Sequence, residues 1–348
     1  MFVSGLTLLF GLLSMVVRAC PGDPADLLFA QYDGNHPGAH VAVIKDGAIV
    51  FERGFGTANL DTGERVTADT NFRLASITKQ FTAVSILMLS ERKSLSIDDP
   101  VARYLPELAS VAPKVTLRNL LTHTSGLPEY ESLLAKNDAR QIVDRDVLEL
   151  VAHHKPRFSP GAQFRYNNTG YALLALVIER VSKLSYSEFL RRNIFKPLGM
   201  TSTVTYGVGA IPHRAYGYSG RDGRFSGADQ NRTTAVLGDG GIYSSTRDLV
   251  RWIDALDHNT LLDSARLAEA ISPSVATDAP NISYGLGWRI GDERGEKVAF
   301  HTGTTSGFKN ALLWVPSRKL AVIVLTNRRE GNSLTLAWLM LDRFWDQP

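Results

Sequence analysis

The stretch FRLASITKQFTAVSILML, residues 72–89, is where the chain changes texture. Before it lie alternating apolar runs. From Ile77 onward, apolar residues at 77, 81, 84, 87 and 88 fall on one face of a helix with a period of 3.6 residues. At the head of that helix Ser76 and Lys79 stand three apart, a spacing that brings a hydroxyl within reach of an ammonium. The bare pattern says little, because SERK (Ser90, Lys93) and SGFK (Ser306, Lys309) repeat it. Only the first match opens an apolar helix. Taken alone, Ser76 reads first as an N-capping serine beside a surface lysine.

Outward from this point, AHVAVIKDGAIVFERGFG (39–56) gives two alternating runs joined by Asp46-Gly47, a hairpin signal because the turn needs positive φ. Further helices are legible in TGYALLALVIERVSKLS and in SSTRDLVRWIDALD, the second with Ser245 or Thr246 as N-cap. The segment VTYGVGAIPHRAYGYSGRDGRFSGADQ between them reads as loop. Strand texture returns in YGLGWRI, KVAFHTG, NALLWVP and KLAVIVLTN, and SLTLAWLMLDRFW closes the chain as a helix. The late strands follow one another too closely for helical crossovers, so they pair antiparallel. The fold class is therefore α/β (α+β): an antiparallel sheet assembled from both chain ends, flanked by helices, with a helical subdomain inserted between them.

The 348 residues, 44% hydrophobic and 21% charged, suffice for a packed core in one large domain or two subdomains. A formal charge of +3 with no long basic block gives no reason to expect a nucleic-acid partner. Residues 1–19 read as a signal peptide: Phe2 to Val17 is apolar yet short of the roughly 20 residues of a membrane span. Its first basic residue, Arg18, follows the apolar run instead of preceding it. The expected location is outside the cytoplasm, periplasmic or extracellular. Cys20 is the only cysteine, which rules out an intramolecular disulfide and a thiolate metal site. VRAC resembles a bacterial lipobox, so a lipid anchor at Cys20 stands beside simple cleavage after Ala19 as the two readings of this junction.

Two distant stretches give Ser76 its context. FRYNNTG carries Tyr166-x-Asn168, and AFHTGTTSGF carries His301-Thr302-Gly303 at the end of an expected strand. The order serine-lysine, tyrosine-x-asparagine, basic residue-Thr-Gly resembles the penicillin-recognising serine hydrolases. The resemblance is to class C β-lactamases, serine D-Ala-D-Ala peptidases and β-lactamase-like carboxylesterases, and runs from about residue 35 to about 345. LRNLLTHTSGLP, FSPGAQFRYNNTGYALLALVIE, IFKPLGM and GDGGIYSSTRDLVRW support it. It implies a β-lactamase/transpeptidase-like hydrolase domain over residues 25–345. Its sheet subdomain would span about 25–80 and 240–345, and its helical subdomain about 81–239, with the site between them.

The resemblance also implies roles. Ser76 is the nucleophile, and Lys79 and Tyr166 remove and return protons. Asn168 binds the substrate amide, and the backbone amides of Ser76 and Thr304 form the oxyanion hole. His301 and Gly303 face substrate, the glycine letting it lie close to the strand edge. Many β-lactamases place lysine where this chain has His301. Histidine, with a reference pKa near 6.5, is largely neutral at pH 7 and captures a carboxylate weakly. His123 reads as structural from its loop setting. No His-Glu-x-x-His is present, and no metal or cofactor is expected.

The expected function is an exported serine hydrolase that cleaves an amide, peptide or ester bond of a small-molecule or peptide substrate through an acyl-enzyme on Ser76. β-Lactam hydrolysis is the alternative. A non-catalytic penicillin-binding or envelope sensor protein is the alternative of another class.

Overall fold

A computed structural model describes residues 22–135 and 139–347, so the expected leader and Cys20 lie outside the described residues. Strands β1 (Ala39–Lys45) and β2 (Ala48–Phe55) form the hairpin read from Asp46-Gly47, whose φ values of 49° and 77° are both positive. From the other end of the chain come β3 (Val275–Ala276), β4 (Ser283–Tyr284), β5 (Arg289–Glu293), β6 (Glu296–Thr305), β7 (Phe308–Val315) and β8 (Leu320–Thr326). All eight join one antiparallel sheet in the order β3-β4-β5-β6-β7-β8-β1-β2. The two chain ends meet where β1 pairs with β8, from Ala39 opposite Thr326 to Lys45 opposite Leu320.

Both faces of the sheet are covered, and the period-2 alternation of its central strands shows it. On β8, Leu320, Val322 and Val324 point into a core shared with α1 (Pro24–Phe29) and the C-terminal helix. Ala321, Ile323 and Leu325 point into the other core, which holds the long helices. Those helices are α2 (Thr78–Glu91), α3 (Asp144–Val151), α4 (Asn168–Ser182) and α5 (Thr246–Asp257), and the C-terminal helix is α6 (Ser333–Trp345).

Three expectations change. Burial of α2 extends beyond the apolar face read for it: every residue from Thr78 to Leu89 is buried, the polar ones included, because the helix lies in the middle of the molecule. YGLGWRI is interrupted; Gly287, at φ 86°, leaves the sheet where an added Cβ would meet Lys79 O at 2.9 Å. The segment read as loop holds a hairpin, Tyr218–Arg221 with Arg224–Gly227, turned by Asp222-Gly223 at φ 55° and 76°. That turn carries the same Asp-Gly signal as the first hairpin, hidden among other glycines.

Candidate active site

Ser76 sits in a 3-10 turn, Ala75–Ile77, that runs directly into α2, so the serine-lysine spacing holds across the junction. Ala75 takes φ 50°, a left-handed conformation that costs a non-glycine residue on the order of 1 kcal/mol. The surroundings enforce it. Leu74 N donates to Ile242 O at 2.8 Å, Phe72 pairs with Ser244, and Asn310 Nδ2 holds Arg73 O at 2.8 Å.

Lys79 is fully buried and all three of its N–H bonds have acceptors: Ser76 Oγ at 3.0 Å, Asn168 Oδ1 at 2.9 Å and Asp239 O at 2.9 Å. The structure thus brings Ser76, Lys79 and Asn168 together. Tyr166 stands beside them, with Lys79 Nζ 5.1 Å from its ring centroid. Ser76, Asn168 and Thr304 line one small cleft of about 50 Å³ with Arg73, Tyr130 and Asp239. A hollow of about 470 Å³ between Leu148, Leu176 and Leu237 is larger but holds no nucleophile, so the chemistry selects the smaller cleft.

The strand carrying Thr304 is built for its place. β6 pairs with β5 only as far as Phe300, while it pairs with β7 through Thr305, so its end has sheet on one side alone. The Ser76 turn packs there. Gly303 is required by that packing: a Cβ would fall 1.9 Å from Leu74 O. Close approach of two backbones thus requires glycine at 303 independently of the room expected there for substrate.

His301 is also placed differently from the expectation. It is buried, and both ring nitrogens are used by the protein: Nδ1 lies 2.7 Å from Thr302 O and Nε2 lies 3.0 Å from Tyr284 OH. Burial, reinforced by the charge of Lys79, pushes its pKa down to about 3. A neutral imidazole with both nitrogens engaged by the protein supports the tyrosines, in keeping with the weak carboxylate capture expected of histidine here. His123 is buried in the same aromatic group, its ring centroid 4.2 Å from that of Tyr166 and 4.6 Å from that of Tyr284. Its Nδ1 lies 3.1 Å from both N and O of Asn167, which ties the LLTHTSGLP loop to the residue preceding α4.

Sequence reasoning missed three carboxyls. Asp239, inside the quoted GDGG phrase, accepts from Tyr130 OH at 3.0 Å, and burial lifts its pKa to about 6 against the pull of Lys79. Glu129, just past the quoted SGLP, accepts from Asn168 N at 2.6 Å, and burial lifts it to about 7. Asp144, on α3, accepts from Leu237 N and Gly238 N and is lifted by burial to about 7. Among the described residues no group of three or more metal-ligating side chains occurs, and no helix is long and apolar enough to cross a membrane.

Comparison with known proteins supplies the family. The family description Beta-lactamase matches residues 25–343. The chain belongs to that family. It is similar to Penicillin-binding protein 4* of Bacillus subtilis (strain 168), 32% identical over 318 residues that cover 86% of this chain and 70% of that protein. The chain spans 60% to 70% of the length of the first curated relatives it matches. Among solved structures it is similar to an octameric penicillin-binding protein homologue from Pyrococcus abyssi. There the TM-score is 0.81 and the identity 27%, over 89% of this chain and 73% of that one. A D-stereospecific amidohydrolase from Streptomyces sp. gives a TM-score of 0.74 and 26% identity, over 88% of this chain and 93% of that one. This member of the Beta-lactamase family thus has the β-lactamase/transpeptidase fold, with serine hydrolases among its relatives.

Proposed function

We propose that this chain is a serine acyl hydrolase that opens an amide, peptide or ester bond through an acyl-enzyme on Ser76, with peptidase, amidase or esterase activity ahead of β-lactam hydrolysis. One observation carries the reading: Lys79 Nζ is shared among Ser76 Oγ, Asn168 Oδ1 and Asp239 O, on a cleft that Thr304 also lines. Ser76 Oγ attacks the acyl carbon and gives up its proton. Because an ammonium at Nζ already donates to Oγ, Lys79 takes that proton as the neutral amine, and Tyr166 beside it relays the proton onward, its hydroxyl giving one to the leaving atom as it receives one from Nζ. The oxyanion is held by the backbone amides of Ser76 and Thr304, each such donor supplying on the order of 3 kcal/mol. The leaving amine or alcohol departs with the returned proton. Water then cleaves the Ser76 ester, frees the acid and regenerates the hydroxyl.

The placing of β-lactam hydrolysis second is supported by His301, which is neutral and fully hydrogen-bonded where a permanent cation would favour a carboxylate. Penicillin binding and D-stereospecific amide hydrolysis stand in the names of similar proteins, and both are acyl transfers that this set of groups can run. We also assign the enzyme to the exported fraction, supported by the apolar run Phe2–Val17.

The test is to incubate the protein and its Ser76→Ala variant with a penicillin and follow intact mass and free product, then repeat with a chromogenic ester. A stable adduct on wild type alone indicates a penicillin-binding peptidase, and rapid product release a β-lactamase. Ester turnover without either indicates an esterase or amidase. Equal, negligible reaction of both proteins with both substrates would leave the non-catalytic binder.

A further inference from the structure

Two of the three oxygens that hold Lys79 are themselves held from behind by carboxyls, that of Asp144 buried and that of Glu129 partly buried. Asn168 Oδ1 belongs to the first residue of α4, whose amide has no partner within the helix and donates to Glu129 Oε2 at 2.6 Å. Asp239 O belongs to the short helical turn Leu237–Gly240, whose first two amides donate to Asp144, Leu237 N to Oδ2 at 2.9 Å and Gly238 N to Oδ1 at 3.0 Å. The same turn offers Gly240 O to Arg73 at 3.3 Å, so its placement bears on the residues before Ser76 as well. Neither Glu129 nor Asp144 makes an ion pair among the described residues, and neither touches Lys79 directly.

We infer that Glu129 and Asp144 are positioning residues for Lys79, each fixing through backbone amides one of the two oxygens that aim its ammonium at Ser76. The inference rests on the reading of Ser76 as nucleophile. It explains why two acids lie where burial opposes their charge: an amide donor bonded to a carboxylate is held more strongly than one bonded to a neutral oxygen.

The two carboxyls differ in a way that amide substitution exposes. Glu129 uses one oxygen, and Oε1 is buried without a partner among the described residues. Glutamine can keep the used acceptor and place its NH2 on the idle side. Asp144 uses both oxygens, so asparagine must turn a donor against the N–H of either Leu237 or Gly238.

The experiment measures kcat and KM for a small chromogenic ester in Glu129→Ala, Glu129→Gln, Asp144→Asn and Ser76→Ala. Each rate is normalised to the folded fraction of protein, and each variant is checked by thermal melting. A 1 Å misplacement of a reacting group costs about 100-fold. Expected is a fall in kcat of about 100-fold in Asp144→Asn and of at least about 10-fold in Glu129→Ala, with KM changed by less than about 3-fold. Glutamine at 129 should restore most of what alanine loses. Normalised kcat equal to wild type in Asp144→Asn and Glu129→Ala, with only melting temperature lowered, would overturn the inference. If Asp144→Asn does not fold, the alanine and glutamine pair at 129 decides it: equal losses in both refute it. Ester turnover that survives Ser76→Ala unchanged overturns the nucleophile reading and this inference with it, whereas a wild-type adduct beside unimpaired Glu129 and Asp144 variants sinks the inference alone.

Discussion

Gly303→Ala should disable the enzyme without touching any group that reacts. The added Cβ would stand 1.9 Å from Leu74 O and 3.3 Å from Ala75 Cβ. Contacts below 3.0 Å are not sustained, so β6 and the Ser76 turn must separate by at least 3.0 − 1.9 = 1.1 Å. The turn has little freedom to yield: the clashing atom is backbone, Leu74 N is bonded to Ile242 O, and Ala75 is already left-handed. With Ser76 and Thr304 in their proposed roles, a displacement of this size corresponds to roughly a 100-fold loss of acylation rate, and overpacking of a tight site costs about 1–3 kcal/mol. The assay is the rate of ester turnover per folded molecule, with urea unfolding for stability. Gly227→Ala is the control, since nothing lies within 4 Å of its Cβ and its φ is ordinary; it should shift stability by no more than about 0.5 kcal/mol. Wild-type acylation by a fully stable Gly303→Ala protein would refute the claim that two backbones press together here.

Asn310→Leu removes a fully buried amide that donates to Arg73 O at 2.8 Å and accepts from Thr326 N at 3.0 Å. Two orphaned backbone groups at about 1–3 kcal/mol each predict a loss near 4 kcal/mol in urea unfolding, and a loss below 1 kcal/mol would contradict that count. His40 is buried against Thr246 Oγ1, and burial pushes its pKa down to about 3. As pH falls below the reference value of 6.5 the unfolded chain takes up a proton that the folded chain refuses, so stability is full above 6.5 and declines toward pH 3. Relative to His40→Asn, the wild type should therefore lose about 2 kcal/mol between pH 7.5 and pH 5, and parallel pH curves for the two proteins would exclude the shift.

The features legible in the sequence were those that repeat over several residues. Period-2 runs fixed the strands of the sheet from both chain ends, and Ser245 caps its helix through Asp248 N as read. Single close contacts were not legible. Nothing in the run around α2 says that the helix is enclosed on all sides, because that depends on what the rest of the chain packs around it. His301 shows the limit for function: the motif supplies a position, but the partner that occupies its Nε2 is Tyr284, 17 residues away on a strand whose register pattern reading does not predict. Asp239 and Glu129 sat inside or beside quoted phrases, and the missing signal was their burial.

The arrangement around Lys79 follows a common logic of charge at one remove. A carboxylate in direct contact would bind the ammonium as an ion pair, whose strength and geometry compete with the contact to Ser76. Here the direct acceptors are neutral oxygens, from Asn168, Ser76 and the Asp239 backbone, which direct the N–H bonds without claiming the charge. The acids Asp239 and Glu129 stand further out and offset the buried charge through space, while Asp144 acts only on the backbone amides of Leu237 and Gly238. Burial raises the cost of every one of these groups and also strengthens each hydrogen bond among them, so the network is stable only when complete. The lysine is thereby aimed at Ser76 by neutral oxygens alone, which is the placement the proposed acyl transfer calls for.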